Sequence, residues 1–408
     1  WNFFFVEKQT PETPTAETAV QKAEKKTVAQ TEAPANDVVE EKSPEPYLAE
    51  IPVGSQKTLP RMITVESPLY SVVINEKGAV FQSYVLKAYK ESMDPGASYK
   101  ELIDPAASRD MLKLSLAGKS LPGLEEAIFT AQQAPDRLHV AGSEKELVFS
   151  WRSDTGVLVE KRYRFIPDSY LIQLSIDIKN GSERSIVDQV ALGIEENTAT
   201  EKGGYSFEGP SALIDGKLEE IKQKKIKDKN EYSGNIKWIA IVDRYFMKSL
   251  IPLDATSGVM KLSLEGDGVL GSRFIDQEVT IQPGTQKRFS YQIFFGPKSM
   301  QVLKDIGHDL SKAIHFGMFD IIAKPLLWFM NFIYSRIPNY GIAIIVLTIL
   351  TKILLWPLGS KSYKSMNEMK RLQPLMAEIR EKHKDDKKMM NQEIMSLYRT
   401  YKINPMGG

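Results

Sequence analysis

The chain holds 408 residues, with 53 Lys and Arg against 52 Asp and Glu, a formal net charge of +1 and a mean hydropathy of −0.27. That balance excludes a polyelectrolyte partner for nucleic acid acting through the whole molecule, and it makes most of the chain water-soluble by composition. The absence of cysteine excludes disulfides and thiol chemistry, and the four histidines (His139, His308, His315 and His383) show no pair at helical ligand spacing, so neither a metal nor a cofactor is implied.

The first five residues, Trp1-Asn2-Phe3-Phe4-Phe5, read as the outer end of an apolar transmembrane helix with aromatics at the interface; a buried N-terminal staple is the alternative. Residues 6–59 are rich in Glu, Lys, Ala, Thr and Pro and cannot bury enough apolar surface to offset their ordering entropy, so a disordered linker is expected there. From 60 to 297 short β-rich runs alternate with turn residues. Leu174, Ile176 and Ile178 alternate with polar residues, and Asn180-Gly181 and Gln282-Pro283-Gly284 bound the runs. Many short strands with regular turns predict an all-β antiparallel sandwich, one large domain rather than two small ones. Residues 203–210 read as a loop, and the lysine-rich stretch Ile221–Asn230 reads as a solvated loop, with a specific anionic ligand as the alternative. His139, Tyr205, Trp238 and Tyr245 are the residues a sugar-converting groove would draw on, but aromatics in a β domain are more often core, and catalysis is not expected.

A helical connector covers 298–338. Lys298–Leu310 reads as a short helix. Ala313–Arg336 then sets Asp320, Lys324, Asn331 and Ser335 on one side of a helical wheel, and Phe316, Phe319, Leu326, Phe329, Met330 and Ile333 on the other. That pattern predicts an interfacial amphipathic helix that Pro325 can bend. Residues 339–358 are almost wholly apolar and close to the ~20 residues a helix needs to cross a bilayer. The crossing carries one charge, Lys352, with Thr348 one turn before it and Thr351 beside it. Lys352 lies ~13 Å inside the cytoplasmic end at the usual helical rise. A lysine there costs about 2.5–3.5 kcal/mol on insertion scales, so it needs a carboxylate, polar partners or a water-filled cavity. A packing ion pair with another helix is one reading; a charged hydrophilic groove that attracts a passing acidic or polar segment is the other.

Residues 359–408 hold eleven Lys and Arg against six Asp and Glu, which marks this end as cytoplasmic and the β domain as lying across the membrane. Ser362–Lys402 reads as a helical hairpin. The first helix carries Met366, Met369, Leu372, Met376 and Ile379, and Pro374 is expected to distort it. The turn is His383-Lys384-Asp385-Asp386, with either Asp385 or Asp386 as N-cap. The second helix carries Met390, Ile394, Leu397, Tyr398 and Tyr401. Seven of the fifteen Met lie in this last piece and suit a promiscuous apolar contact surface, or else pack the hairpin on itself. Its Lys and Arg faces suit anionic lipid headgroups or ribosomal RNA.

Several short sequences occur in register: Asn339-Tyr340-Gly341, the mid-span cation, Trp356-Pro357-Leu358, Tyr363-Lys364-Ser365-Met366, Leu372-Gln373-Pro374, Asp385-Asp386-Lys387 and Asn404-Pro405-Met406-Gly407-Gly408. Upstream stand Phe207-Glu208-Gly209-Pro210, Lys237-Trp238-Ile239-Ala240 and Phe295-Gly296-Pro297. Together they resemble the YidC/Oxa/Alb membrane-insertase family in its long Gram-negative form. The resemblance covers the whole chain and is strongest from Asn339 onward. It implies an inner-membrane protein with a periplasmic β-supersandwich, an interfacial helix and a helical insertase core, of which only the first core helix and its hairpin are present, with three more membrane helices expected after Gly408. It implies a non-enzymatic insertase and chaperone for newly made inner-membrane proteins, acting alone or with the Sec translocon, and receiving substrate from the ribosome or the signal recognition particle pathway through the hairpin. The family's groove cation is usually Arg. Lys352 keeps the charge and loses the five-donor fork. Groove contacts then fall to Lys352, Thr348 and Thr351, and hairpin contacts to Met366, Met369, Met376, Asp385, Asp386, Met389 and Met390. A membrane-anchored periplasmic carbohydrate-binding domain or a scaffold for another envelope complex are the alternatives.

Overall fold

Tyr70, Val72 and Ile74 point inward from one strand while Ser71, Val73 and Asn75 are half-exposed, and the same period of two recurs along most of the β region. The computed structural model describes residues 59–94, 96–103, 111–131, 134–197, 207–254, 257–265, 268–316, 319–384 and 386–401. The expected helix end at 1–5, the linker up to Lys57 and Thr58, Tyr205, Asp385 and the Asn404–Gly408 motif lie outside the described residues. The chain divides into two compact units, Trp1–Ile314 and His315–Gly408.

The first unit contains three sheets. The largest has eight strands, in the spatial order Lys217–Glu220, Gly209–Ile214, Ile236–Val242, Phe246–Pro252, Gln286–Pro297, Leu171–Asn180, Val157–Phe165 and Lys145–Arg152. A five-stranded sheet runs Tyr99–Ile103, Val80–Lys90, Tyr70–Asn75, Met62–Glu66 and Arg137–His139, and a second runs Glu231–Gly234, Gly258–Leu264, Val269–Ile281, Ile186–Asn197 and Leu114–Leu116. The expected antiparallel pairing holds with one exception. Arg137–His139 joins Met62–Glu66 in parallel, which is open to it because no hairpin links the two strands.

Residues of all three sheets form one apolar core, in which Trp238, Tyr70, Tyr84, Tyr163 and Phe274 are fully buried. Trp238 is therefore core and lines no groove, while His139 and Tyr245 are exposed. The first part of the connector belongs to this core as well. Helix α1 covers only Met300–Ile306, shorter than Lys298–Leu310, because Gly307, His308 and Asp309 take φ of 85°, 51° and 58° and a right-handed helix cannot continue through them. Leu303 and Leu310, on either side of that turn, are fully buried.

Two lysines hold the sheets to one another. Val157–Phe165 alternates inward residues at Val157, Val159, Lys161, Tyr163 and Phe165, so the strand's own period drives Lys161 into the core, where it is fully buried. Its Nζ donates to the carbonyls of Gly78 (3.0 Å), Ala79 (2.7 Å) and Leu112 (2.9 Å), and the Tyr163 hydroxyl donates to Ala79 as well (2.8 Å). All three carbonyls belong to left-handed residues, with φ of 76°, 47° and 63°. Backbone of that kind costs a non-glycine residue about 1–2 kcal/mol. The Lys161 bonds hold it in place. Lys248, also buried, reaches the carbonyls of Leu102 (3.1 Å) and Glu195 (2.7 Å) and the carboxylate of Glu196. Lys161 thus projects from the eight-stranded sheet to turns beside the two smaller sheets, and Lys248 to strands of both.

Burial pushes the Lys161 ammonium from 10.5 down to about 7. Because the folded value is depressed, the unfolded chain holds more protons between pH 7 and 10.5, and stability rises with pH across that window. We expect the urea midpoint of the native chain, followed by tryptophan fluorescence, to climb from pH 7 toward about pH 9, above which buried tyrosines such as Tyr70 and Tyr163, whose hydroxyls burial pushes up, oppose the rise. Lys161→Met should lose that slope and be less stable by roughly 2 kcal/mol or more, because three buried carbonyls lose their donor. A pH slope that survives in the variant would assign it to other groups.

Candidate functional site in the membrane helix

In the second unit α2 covers Asp320–Arg336, α3 covers Tyr340–Lys382 and α4 covers Lys387–Thr400. The helix expected to be interfacial starts at Asp320, later than the pattern suggested, and the Asp320 carboxylate accepts from the Phe316 amide (3.2 Å) and pairs with Lys324 one turn on. Ile333 is buried, whereas Ile321, Ile322, Trp328 and Phe332 are exposed. The apolar side of α2 is therefore wider than one packing contact needs. Residues 337–339 turn the chain, and Asn339 caps α3 by accepting from the amides of Gly341 (2.8 Å) and Ile342 (3.3 Å). The Tyr334 and Tyr340 rings stack across this turn at 3.9 Å.

Helix α3 runs for 43 residues, through both Pro357 and Pro374. It neither ends at Leu358 nor breaks at Pro374, because each proline removes one amide donor while helix formers surround it on both sides. After Pro357 the Ser360 hydroxyl donates to the carbonyls of Trp356 (2.9 Å) and Pro357 (3.2 Å). The apolar half of α3 is long and apolar enough to cross a membrane, and almost none of it is buried.

The structure sorts the three expected groove residues onto two lines of that helix. Ala343, Leu347 and Thr351 recur every four residues and are less exposed than the positions around them. Thr348 and Lys352 lie one turn apart on another line, fully in the open with Ile345, Ile349 and Trp356. The Thr348 hydroxyl donates to the Ile344 carbonyl (2.7 Å), and the Thr351 hydroxyl to those of Leu347 (2.9 Å) and Thr348 (3.0 Å). Both threonines so satisfy themselves on their own helix. Among the described residues Lys352 has no hydrogen bond and no ion pair.

Beyond the span, α4 folds back on α3. Leu372 is buried, the Tyr398 hydroxyl meets Met376 Sδ at 3.5 Å, and Glu393 pairs with Lys382 (3.1 Å) and His383. The Lys382 ammonium, with His383 beside it, holds the Glu393 carboxyl below its usual range. Asp386 is the α4 cap, accepting from the amides of Lys388 and Met389, both at 3.0 Å. Met369, Met376 and Met390 are half-buried, whereas Met366 and Met389 are exposed. Met366 escapes cover because the 14 residues of α4 reach back only ~21 Å along α3, to about Glu368. Met395 and Tyr401 extend the exposed surface. Counting every methionine of the hairpin would have included Met395; Tyr401 falls on the apolar stripe.

The family model described as the YidC periplasmic domain matches residues 62–329, and that described as the 60Kd inner membrane protein matches 332–408. The chain belongs to the YidC family. It is 36% identical over 354 residues to a curated YidC protein of Geotalea daltonii named a membrane protein insertase, covering 85% of this chain and 66% of that one. It is 34% identical over 365 residues to the protein of the same name from Syntrophus aciditrophicus, covering 88% and 67%. The chain thus spans about two thirds of the length of these YidC relatives. A galactose mutarotase related enzyme from Lactobacillus acidophilus is similar at 11% identity and a TM-score of 0.38, over 57% of this chain and 97% of that one, too distant to bear on chemistry. As a YidC protein the chain is an inner-membrane protein whose β domain is periplasmic.

If Asp386 holds the first turn of α4, Asp386→Ala should weaken it by about 1 kcal/mol. Amide hydrogen exchange of the lipid-reconstituted chain should then quicken at Lys388, Met389 and Met390 and stay unchanged across 340–380. Equal exchange in both proteins would remove the cap from the account.

Proposed function

We propose that the chain is the periplasmic domain and first core helix of a membrane protein insertase and chaperone, which moves newly made inner-membrane proteins into the bilayer alone or with the Sec translocon. The single observation that carries this reading is Lys352, a cation in mid-span with no partner among the described residues. A bare ammonium at that depth costs about 2.5–3.5 kcal/mol even on insertion scales. A partner that comes and goes can offset the cost where a permanent one is not built in. The acidic or polar flank of an inserting segment is such a partner, and the exchange lowers the barrier to moving that flank through hydrocarbon.

In this reading Lys352 and Thr348 form the hydrophilic stripe of a groove closed by further membrane helices, in a multi-pass protein. Thr351 lines it or sets the packing beside it. No covalent step is required, so no residue takes a catalytic role. The hairpin's exposed Met366 and Met389, with Met369, Met376, Met390, Asp385 and Asp386, form the surface that receives substrate from the ribosome or the signal recognition particle pathway. Its basic faces rest on anionic lipid. Names of the relatives support the activity, and the paired family matches support the order of parts.

The test is insertion of a single-span substrate with an acidic translocated flank, scored by protease protection in cells whose only copy of the gene carries the substitution. Lys352→Arg should insert at close to the native rate, and Lys352→Glu should lose insertion at least tenfold. An active Glu variant would sink the charge-attraction mechanism. Thr348→Val should cost little, because its hydroxyl already bonds the Ile344 carbonyl.

A further inference from the structure

Helix α2 keeps one side covered and offers the other. Ala323, Leu326, Leu327, Met330, Ile333 and Tyr334 recur at helical spacing and are buried or half-buried, and α2 packs against α3. A helix with one covered side usually turns polar residues outward on the other. Here the open side carries Ile321, Trp328 and Phe332, at 86%, 68% and 45% exposure, with the exposed Arg336 at its end.

Trp328, Phe332 and Arg336 stand one turn apart in a single row. The Trp328 and Phe332 rings stack at 5.8 Å with 18° between their planes, and the Arg336 guanidinium lies over the Phe332 ring at 5.5 Å. The row thus has an apolar end and a cationic end. Lys324, the other cation of α2, is paired with Asp320. Arg336 has no ion pair and no hydrogen bond from its side chain among the described residues.

The place of Arg336 in the chain narrows what it can meet. Only Ile337, Pro338 and Asn339 separate it from the first residue of α3, and the Tyr334–Tyr340 stack closes that turn. Arg336 therefore stands at the end of the crossing nearest the β domain, on the periplasmic side. Cations beyond a span gather at its cytoplasmic end, as Lys361 and Lys364 do here, so that bias does not account for Arg336. A neighbouring membrane helix is a poor occupant of the row, because such helices approach through small residues and two large rings hold them apart. A molecule with an anionic head and a hydrocarbon tail matches both ends. The guanidinium fork takes two phosphate oxygens at once, and the flat rings take the chain.

We propose that Trp328, Phe332 and Arg336 form a binding site for one phospholipid of the periplasmic leaflet, with its phosphodiester on Arg336 and an acyl chain along Phe332 and Trp328. The inference rests on α3 crossing the membrane and is independent of insertase activity.

The test is photo-cross-linking of the full chain in detergent micelles, where bulk lipid is dilute. The photoreactive residue p-benzoylphenylalanine is placed at Ser335, which is exposed beside Arg336, and radiolabelled phosphatidylglycerol is added. The chain should capture phosphatidylglycerol saturably. Diacylglycerol with the same chains, which lacks the phosphate, should be captured several-fold less. Glycerol phosphate, which lacks the chains, should fail to compete. Arg336→Gln, at an exposed position that the fold does not use, should lower capture several-fold, and Trp328→Ala should lower it as well. Equal capture by Arg336→Gln, or equal capture of diacylglycerol, would overturn the proposal and leave the row to bulk hydrocarbon or to another helix. Displacement by glycerol phosphate would overturn it too, by making Arg336 a site for free phosphate.

Discussion

Three backbone carbonyls around one ammonium hold the β domain together at its centre. Lys161 stands on the eight-stranded sheet, and Gly78, Ala79 and Leu112 belong to turns that serve the two smaller sheets. The residues that carry these carbonyls adopt left-handed backbone, which the Lys161 donor helps to hold beside the turns' own backbone bonds. Protonated lysine carries three donors and the neutral amine two, so the carbonyls favour the charge that burial opposes. Lys248 repeats the device elsewhere, with the Glu196 carboxylate as one of its partners. A wholly apolar junction would pack as well but would specify less, since an apolar side chain accepts many neighbours and an ammonium needs acceptors in particular places.

The same side chain behaves in the opposite way in the second unit. Lys352 has the same chemistry as Lys161 and none of its partners. Among the described residues the backbone around it gives its ammonium no hydrogen bond. Thr348 and Thr351, which stand nearby, spend their hydroxyl protons on their own helix. A sheet domain can turn a carbonyl out of register to meet a buried cation; a membrane helix cannot, and its cation must find a partner in another helix, in water or in a passing segment. That contrast is the physical basis for assigning function to one lysine and architecture to the other.

Helix α3 adds a mechanical consequence. A single continuous helix joins the apolar span to the α4 contact at Leu372 and Met376. Pro357 and Pro374 are the two points where the rod lacks a backbone bond and can bend. The exposed Met366 lies between them, on the stretch that α4 does not reach.

The β-rich runs, the amphipathic connector, the crossing at 339–358, the lone mid-span charge and the basic far end were all legible in residue order, because hydrophobic periodicity and length are properties of the local chain. The inward position of Lys161, on the same face as Val157, Val159, Tyr163 and Phe165, came from the structure. Periodicity could not say what a buried lysine would meet, because Gly78, Ala79 and Leu112 are distant in sequence and come together only when the sheets close. For the same reason the burial of Trp238, the parallel pairing of Arg137–His139, the split of Thr351 from the Thr348–Lys352 line, and the exposure of Met366 beside the half-buried Met376 were decided by tertiary structure. Each depends on which neighbour arrives to cover a surface, and that neighbour is set by packing between elements, not by the pattern within one.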